Sequence, residues 1–369
     1  MSAVSNLSVS IEGKIDIVDQ VKVININESL LGELSASLEI IDGVGLLDSA
    51  IGSGQTVIIS YTYLSVSIAN AFIIDGVQAI DVTSSKTRKT YIIKLVSPKS
   101  ITNSLQLISK SYRGLATDIV KNIHDEFYGT DTLDVLAQAT NHGHYIAPNI
   151  SPETAINRIL SNAYDADNNP FFIFQQVISK GKSILNSLKN IEKQIPSIEI
   201  SPTILDIDTI DKPLSTIGQP QQVIIHSDGD NTAYKISKGL TGKTIINLDI
   251  SNSSLKKESL GVHTNSNSII APLRLDRFNS EEKPLLNGGD SINYHFMKIK
   301  RESLFDNRVT AYRCTAIPNL GVGNKVRLIL DRNSIKSGVS KYTGNYVVYG
   351  IHHIIEDGIY TQNVEMTRG

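Results

Sequence analysis

The feature that most constrains this chain is a strand pattern that it carries twice. GQTVII, Gly54 to Ile59, and GNKVRL, Gly323 to Leu328, each place a glycine ahead of alternating apolar residues, at an offset of 269. AFIIDGVQAI, Ala71 to Ile80, and NYVVYGIHHI, Asn345 to Ile354, match at an offset of 274 when Gly76 is laid on Gly350. YIIKLV, Tyr91 to Val96, falls on YTQNVE, Tyr360 to Glu365, at 269 again. The second copy thus has five extra residues between its first two strands and five fewer in the following hairpin, and length changes of this kind belong in loops. Two related β-barrels in one chain are expected.

The wider texture agrees. Ile, Val, Ser, Thr and Asn abound, Trp is absent, and short runs such as QTVIISYTY lie between Gly, Asp and Ser turns, as in a mostly β protein. Three segments between residues 111 and 196 break the pattern with helical spacing. SYRGLATDIVKNIHDEFYG sets Leu115, Ile119, Ile123 and Phe127 on one stripe. SPETAINRILSNAY opens with Ser151 as N-cap and Pro152 at the first helical position, and its apolar face is Ala155, Ile156, Ile159, Leu160 and Ala163. KSILNSLKNIEKQI carries Ile184, Leu185, Leu188, Ile191 and Ile195 and stops at Pro196. The fold class expected is α+β, mainly β. Residues 1–100 form a first barrel, 101–205 an α/β module with three helices, and 206–250 with 305–369 a second barrel. Residues 251–304 are a loop-rich insertion whose polar loops are candidates for disorder.

Composition removes several function classes. With 35 basic and 37 acidic side chains the net charge is −2, without the basic excess of an electrostatic nucleic-acid binder. The single cysteine, Cys314, permits neither an intrachain disulfide nor a multi-cysteine zinc site. No apolar run approaches a membrane span, and MSAVSNLSVSIEG does not read as a signal peptide, so a reducing cytoplasm is the expected folding compartment.

Candidate chemistry is thin. His352 and His353, adjacent in a strand, point to opposite faces and cannot share a metal. Their counterparts Gln78 and Ala79 lack such chemistry, and Glu356-Asp357-Gly358 reads as a hairpin turn. His142 and His144 would share a face if extended, and with His124 would supply three metal ligands, with Asp125 or Glu126 as carboxylate. The customary helical spacing is missing, and a loop or surface pair is the simpler reading. DADNNP, Asp165 to Pro170, starts like a calcium loop but has Pro170 at its sixth position and Gln176 at its twelfth, so a polar turn is expected. GVG at Gly43–Gly45 and Gly321–Gly323 opens no phosphate-binding helix. Cys314, in the alternating run RVTAYRCTAI, reads as a buried strand thiol. No catalytic, cofactor-binding or metal residues are assigned and no cofactor is expected.

Several stretches together resemble one family. SASLEIIDGVGLLDSAIGSGQTVIISY, SYRGLATDIVKNIHDEFYG, SPETAINRILSNAYDADNNPFFIFQQ, SILNSLKNIEKQIP, and RVTAYRCTAIPNLGVGNKVRLILD with YTGNYVVYGIHHIIEDGIYTQNVEMTRG resemble, in order, the central baseplate hub protein of contractile phage tails. The chain is also similar to the hub half of type VI secretion spike proteins. The likeness runs nearly end to end, apart from residues 251–304, and rests on strand and turn patterns.

The resemblance implies tube-type barrels and a homotrimer in which three chains with two barrels each make a pseudo-sixfold ring. It implies as partners a trimeric central spike, tail-tube or tube-initiating proteins and other baseplate parts. DNA would pass through the channel during ejection, and the place is the virion tail, assembled in the host cytoplasm. No lysozyme or peptidase appendage follows Met366, so cell-wall cutting is expected of another protein, and the compact length favours a contractile tail. Two alternatives stand beside this: a hub of a phage-derived secretion or injection machine, and a metal-dependent hydrolase using His124, His142 and His144.

Overall fold

The computed structural model describes residues 3–43, 51–81, 89–129, 131–196, 198–201, 218–226, 243–249, 254–260, 268–270, 297, 300–301, 304, 308–330 and 342–368. The early strands are β1 (Ser5–Ile11), β2 (Ile15–Asp16), β3 (Val21–Ser29), β4 (Ser35–Asp42), β5 (Thr56–Tyr63), β6 (Val66–Asp81) and β7 (Lys89–Val96). The middle of the chain holds β8 (Ser111–Leu115), β9 (Leu133–Val135), β10 (His142–Ile146), β11 (Phe171–Gln175), β12 (Ser183–Ser187) and β13 (Ile198–Ile200). After it come β14 (Gln222–His226), β15 (Lys243–Asp249), β16 (Ser254–Leu260), β17 (Ser268–Ile270), β18 (Arg308–Thr315), β19 (Lys325–Leu328), β20 (Gly344–Glu356) and β21 (Ile359–Thr367). Described α-helices are α1 (Pro98–Leu105), α2 (Ala116–Phe127), α3 (Pro152–Asn162) and α4 (Leu188–Lys193).

The chain is mainly β, and its repeat is real at the level of strand order. The first unit runs β3-β4-β7-β6-β5 and the second β14-β18-β21-β20-β19, the same five-strand antiparallel order. Hydrogen bonds repeat too. Gly54 N donates to Ile74 O at 2.8 Å and Ile74 N to Gln55 O at 2.9 Å. Gly323 N donates to Val348 O at 2.8 Å and Val348 N to Asn324 O at 2.9 Å. A one-residue bulge falls at Asp75 in β6, between Ile74 and Gly76, and at Tyr349 in β20, between Val348 and Gly350.

Two of the three sequence offsets hold in the ladder, because Thr56 pairs with Ile73 and Lys325 with Val347. The third is corrected. Val77 pairs with Ile93 and Ile351 with Val364, so β7 and β21 are offset by 271 (364 less 93) rather than 269. The second hairpin is therefore three residues shorter than the first, not five.

The two units are not separate sheets. Both belong to one 13-stranded sheet in which β20 of the second unit pairs with β3 of the first, Gly350 opposite Ser29 through Glu356 opposite Val23. Among the described residues neither unit closes on itself by hydrogen bonds. β20 reaches across because it is 13 residues long, and its partner β19 covers only Gly344 to Val347.

Burial follows the alternation expected of half-buried strands. In SASLEIID of β4, Ala36, Leu38 and Ile40 are buried, and in TVIISYTY of β5 Val57, Ile59, Tyr61 and Tyr63 are. Each Val, Leu or Ile among them stabilises by roughly 1.5–3 kcal/mol when fully covered. The first unit's core also takes in Ile355 and Tyr360 from the second unit and Val177 from the module, so the two units share a core as well as a sheet.

The module between them differs in part from expectation. α3 begins after Ser151, whose side chain accepts from Thr154 N at 3.3 Å. α2 begins only at Ala116, because Ser111–Leu115 is taken into a ladder with His142–Ile146. The third segment is corrected: Ser183–Ser187 is strand β12, antiparallel to Phe171–Gln175 and parallel to Leu133–Val135. Only Leu188–Lys193 is helical there, capped by Ser187, which accepts from Asn190 N at 3.2 Å. Two ladders of tertiary pairing outweigh the helical spacing of Ile184, Leu185 and Leu188. α1 was not foreseen, although Ser97-Pro98 repeats the signature of Ser151-Pro152, and Ser97 caps it at 3.3 Å to Lys99 N.

Ser254–Leu260, in a stretch expected to be polar loop, is a strand paired along its length with β15, and β17 completes that small sheet. Most of residues 251–304, to which the expected disorder refers, lies outside the described residues, as do Val44 and Gly45 of the first GVG.

Candidate functional site

The histidine pair of the C-terminal hairpin marks the seam between the units. Asp357 (φ 50°) and Gly358 (φ 74°) form the two-residue turn, with Glu356 opposite Ile359, which is the hairpin expected from the sequence. His352 is half-buried on one face, and desolvation followed by the neighbouring His353 lowers its pKa. His353, on the other face, is buried beside Glu28 of β3, Nε2 to Oε1 3.2 Å.

A polar network surrounds this pair. Tyr360 OH lies 2.5 Å from His353 Nδ1, and Gln362 Nε2 lies 3.3 Å from the same nitrogen. Burial, and next to it Tyr61, hold the Tyr360 hydroxyl well above its ordinary pKa, so it stays a donor. With Nδ1 as acceptor the histidine's Nε2–H faces the carboxylate. Glu28 in turn accepts from Val177 N of the module and, at 3.0 Å, from Val322 N of the second unit. One carboxylate of the first unit thus binds both the module and the second unit. Tyr63 OH donates to Ala316 O at 3.1 Å between the two units, Asn70 Nδ2 to Val177 O at 3.1 Å between the first unit and the module, and Gln176 Nε2 to Val322 O at 2.6 Å between the module and the second unit.

The three histidines of the hydrolase reading do not converge. His124, on α2, is fully buried, and its Nε2 lies 3.1 Å from Lys99 Nζ and 3.5 Å from Asp131 Oδ2. His142 and His144 sit on β10 opposite Leu115 and Arg113, the first exposed and the second half-buried. Among the described residues no group of three His, Cys, Asp or Glu side chains is placed to hold a metal. Asp125 pairs with Lys121 at 3.2 Å and Glu126 with Lys110 at 2.8 Å.

What His124 joins is a buried cluster of Lys99, Asp131 and Ser183, missed in the sequence because its members are spread over α1, a loop and β12. Lys99 Nζ contacts both Asp131 and Ser183, and Ser183 Oγ donates to Asp131 at 3.2 Å. Burial alone would push the Asp131 carboxyl up, but the hydrogen bond from His124 and the Lys99 ammonium together hold it below its ordinary value. The cluster lies beside a cleft of about 570 Å³ lined by Lys99, Tyr128, Asp131 and Gln175 among others. Lys99 Nζ and His124 Nε2 both lie against the Asp131 carboxylate. The arrangement ties α1, α2 and β12 together.

Asp165 Oδ1 accepts from Asp167 N at 3.0 Å and Asn169 N at 2.8 Å, so DADNNP is the polar turn into β11 that was expected. Cys314 is buried, and burial pushes its thiol up to about 12, which suits a core residue rather than a nucleophile.

In fold, the chain is similar to phage tail proteins of known structure. No protein-family model and no curated protein matches the sequence. The chain is similar to the 43 kDa tail protein of prophage MuSo2 from Shewanella oneidensis, with TM-score 0.64 and 10% identity over 98% of each chain. It is similar also to the tail protein from Neisseria meningitidis MC58, with TM-score 0.62 and 12% identity over 98% of this chain and 96% of that one. Prophage tail protein gp18 from Listeria monocytogenes EGD-e matches with TM-score 0.50 and 9% identity over 99% and 95% of the two chains. The family resemblance drawn from the sequence therefore holds as a likeness of fold along the full chain.

Proposed function

We propose that this chain is a structural hub of a phage-type tail baseplate. Three copies form a pseudo-sixfold ring that joins a sixfold tail tube to a threefold central spike and leaves a channel for DNA. The observation that carries this is the repeated five-strand unit, joined side by side within one chain by β20 and β3. Three chains so built present six similar units, which meets sixfold symmetry on one face while the ring stays threefold. Each unit contributes one wall segment of tube type, and closure into barrels belongs to that assembled ring.

The role is mechanical rather than catalytic, and the place of action is the virion tail. Partners in this reading are the spike, tube-initiating proteins and neighbouring baseplate components, with DNA only in transit. The near-neutral chain suits a wall that does not retain DNA. Residues 101–205, with their own apolar core, stand outward as a brace. Native mass measurement of the purified protein tests the reading: a species of three times 40.3 kDa is expected, and monomer at every concentration overturns it.

A further inference from the structure

The seam inside the chain specifies the seam between chains. β20 uses one edge for β21 and the other for two partners in succession, β19 up to Val347 and β3 from Gly350 onward. β6, its counterpart, pairs with β7 along one edge, and on the other its pairing with β5 stops at Ile73. Among the described residues nothing pairs with the stretch from Gly76 to Asp81 on that edge. At the opposite end of the sheet β14, the counterpart of β3, has only β18 as a described neighbour. Among the described residues, the two edges that meet within the chain are thus both open at its ends.

Burial points the same way. Ile24 and Ile26 of β3 are each 1% exposed and Ile351 of β20 is 2% exposed. Their counterparts on the open edges are less covered: Val77 is 40% exposed, and Val223 and Ile225 are only half-buried. An open edge with uncovered β-branched side chains is a template for strand addition.

We infer that β6 of one copy pairs antiparallel with β14 of a second copy, in the register of β20 on β3; this rests on the ring proposed above. The register follows from the ladders. Ile24 pairs with Leu38, which pairs with Ile93, and Val223 pairs with Ala311, which pairs with Val364. Since Ile93 and Val364 are equivalent, Val223 stands where Ile24 does, an offset of 199 (223 less 24). His352 opposite Asn27 then becomes Gln78 opposite His226, and His353 opposite Ile26 becomes Ala79 opposite Ile225. The anchor of the inner seam is not copied, because Glu28 and His353 correspond in sequence to Ser227 and Ala79. The outer seam holds by backbone bonds and apolar cover, which leaves it free to form after the chain has folded.

Disulfide trapping tests the register. Directly opposed residues sit about 4.5–5.5 Å apart at Cβ, diagonal ones about 7–8 Å, and a disulfide needs the shorter spacing. In the chain carrying Gln78→Cys with His226→Cys, mild oxidation is expected to give covalent dimer and trimer bands. Gln78→Cys with Ile224→Cys, on the same face but two residues off, is expected to give at least tenfold less. A trimer by native mass in which neither pair, or the second pair better than the first, cross-links overturns this inference and leaves the ring standing. Monomer throughout overturns both. As an independent measurement, Ile225→Asp is expected to shift trimer to monomer with an unchanged far-UV circular dichroism spectrum; a trimer of full stability in that variant overturns the pairing.

Discussion

Nε2 of His353 lies 3.2 Å from Oε1 of Glu28, across the line where β20 of the second repeat meets β3 of the first. Both side chains are buried, and the carboxylate also accepts hydrogen bonds from Val177 N and Val322 N.

Removing that carboxylate strands two backbone donors and takes the ionic neighbour from His353. Glu28→Ala is expected to destabilise the protein by about 3–5 kcal/mol, as for breaking a buried pair, with Glu28→Gln costing less because it still accepts hydrogen bonds. Denaturant unfolding measures this. A loss under about 1 kcal/mol for Glu28→Ala would show that the seam does not depend on the pair.

The glycines that open the repeated strands give a second comparison. Gly54 and Gly323 both have positive φ, 90° and 78°. A Cβ on Gly54 meets nothing within 4 Å, whereas on Gly323 it would lie 2.6 Å from Cζ of Phe174, a ring buried in the second core. Gly54→Ala should cost about 1–2 kcal/mol from backbone strain, and Gly323→Ala should add about 1–3 kcal/mol of overpacking. Equal thermal shifts in the two variants would contradict the close approach of the module to the second unit.

Acid should weaken the helical module through Asp131. Its pKa is depressed in the folded protein, so its stabilising effect is full above the ordinary value of 3.8 and is lost as pH falls through the lower folded value. Asp131→Asn leaves Lys99 buried without its carboxylate and should cost about 3–5 kcal/mol near neutrality. The gap between variant and wild type is expected to close below about pH 4. Melting temperatures measured from pH 7 downward decide it: a gap that stays constant into acid would assign Asp131 no such role.

The repeat was legible because alternation and glycine position survive divergence. Gly54 with Gly323 and Gly76 with Gly350 mark turns and bulges that the backbone requires, and they fixed two offsets. The third slipped by two residues because YIIKLV and YTQNVE keep the same inward face at either offset; a period of two cannot reject a shift of two. The separate barrels were expected for a related reason: no local signal tells that the far end of β20 turns to β3, a strand more than 300 positions away. Nor could the run Ser183–Ser187 announce its partners β9 and β11, so its isoleucine and leucine read as part of a helix stripe. His353 was set on the face opposite His352, as found, yet its partner Glu28 sits in a strand whose VKVININES gives no hint of a buried acid. The cluster of Lys99, His124, Asp131 and Ser183 is assembled wholly by tertiary contact.

Because Glu28 grips the module through Val177 and the second repeat through Val322, neither can swing about the first repeat without parting a buried charge from its donors. Force applied to the module would then reach the sheet undiluted, as torque on a rigid lever rather than as slack taken up in a hinge.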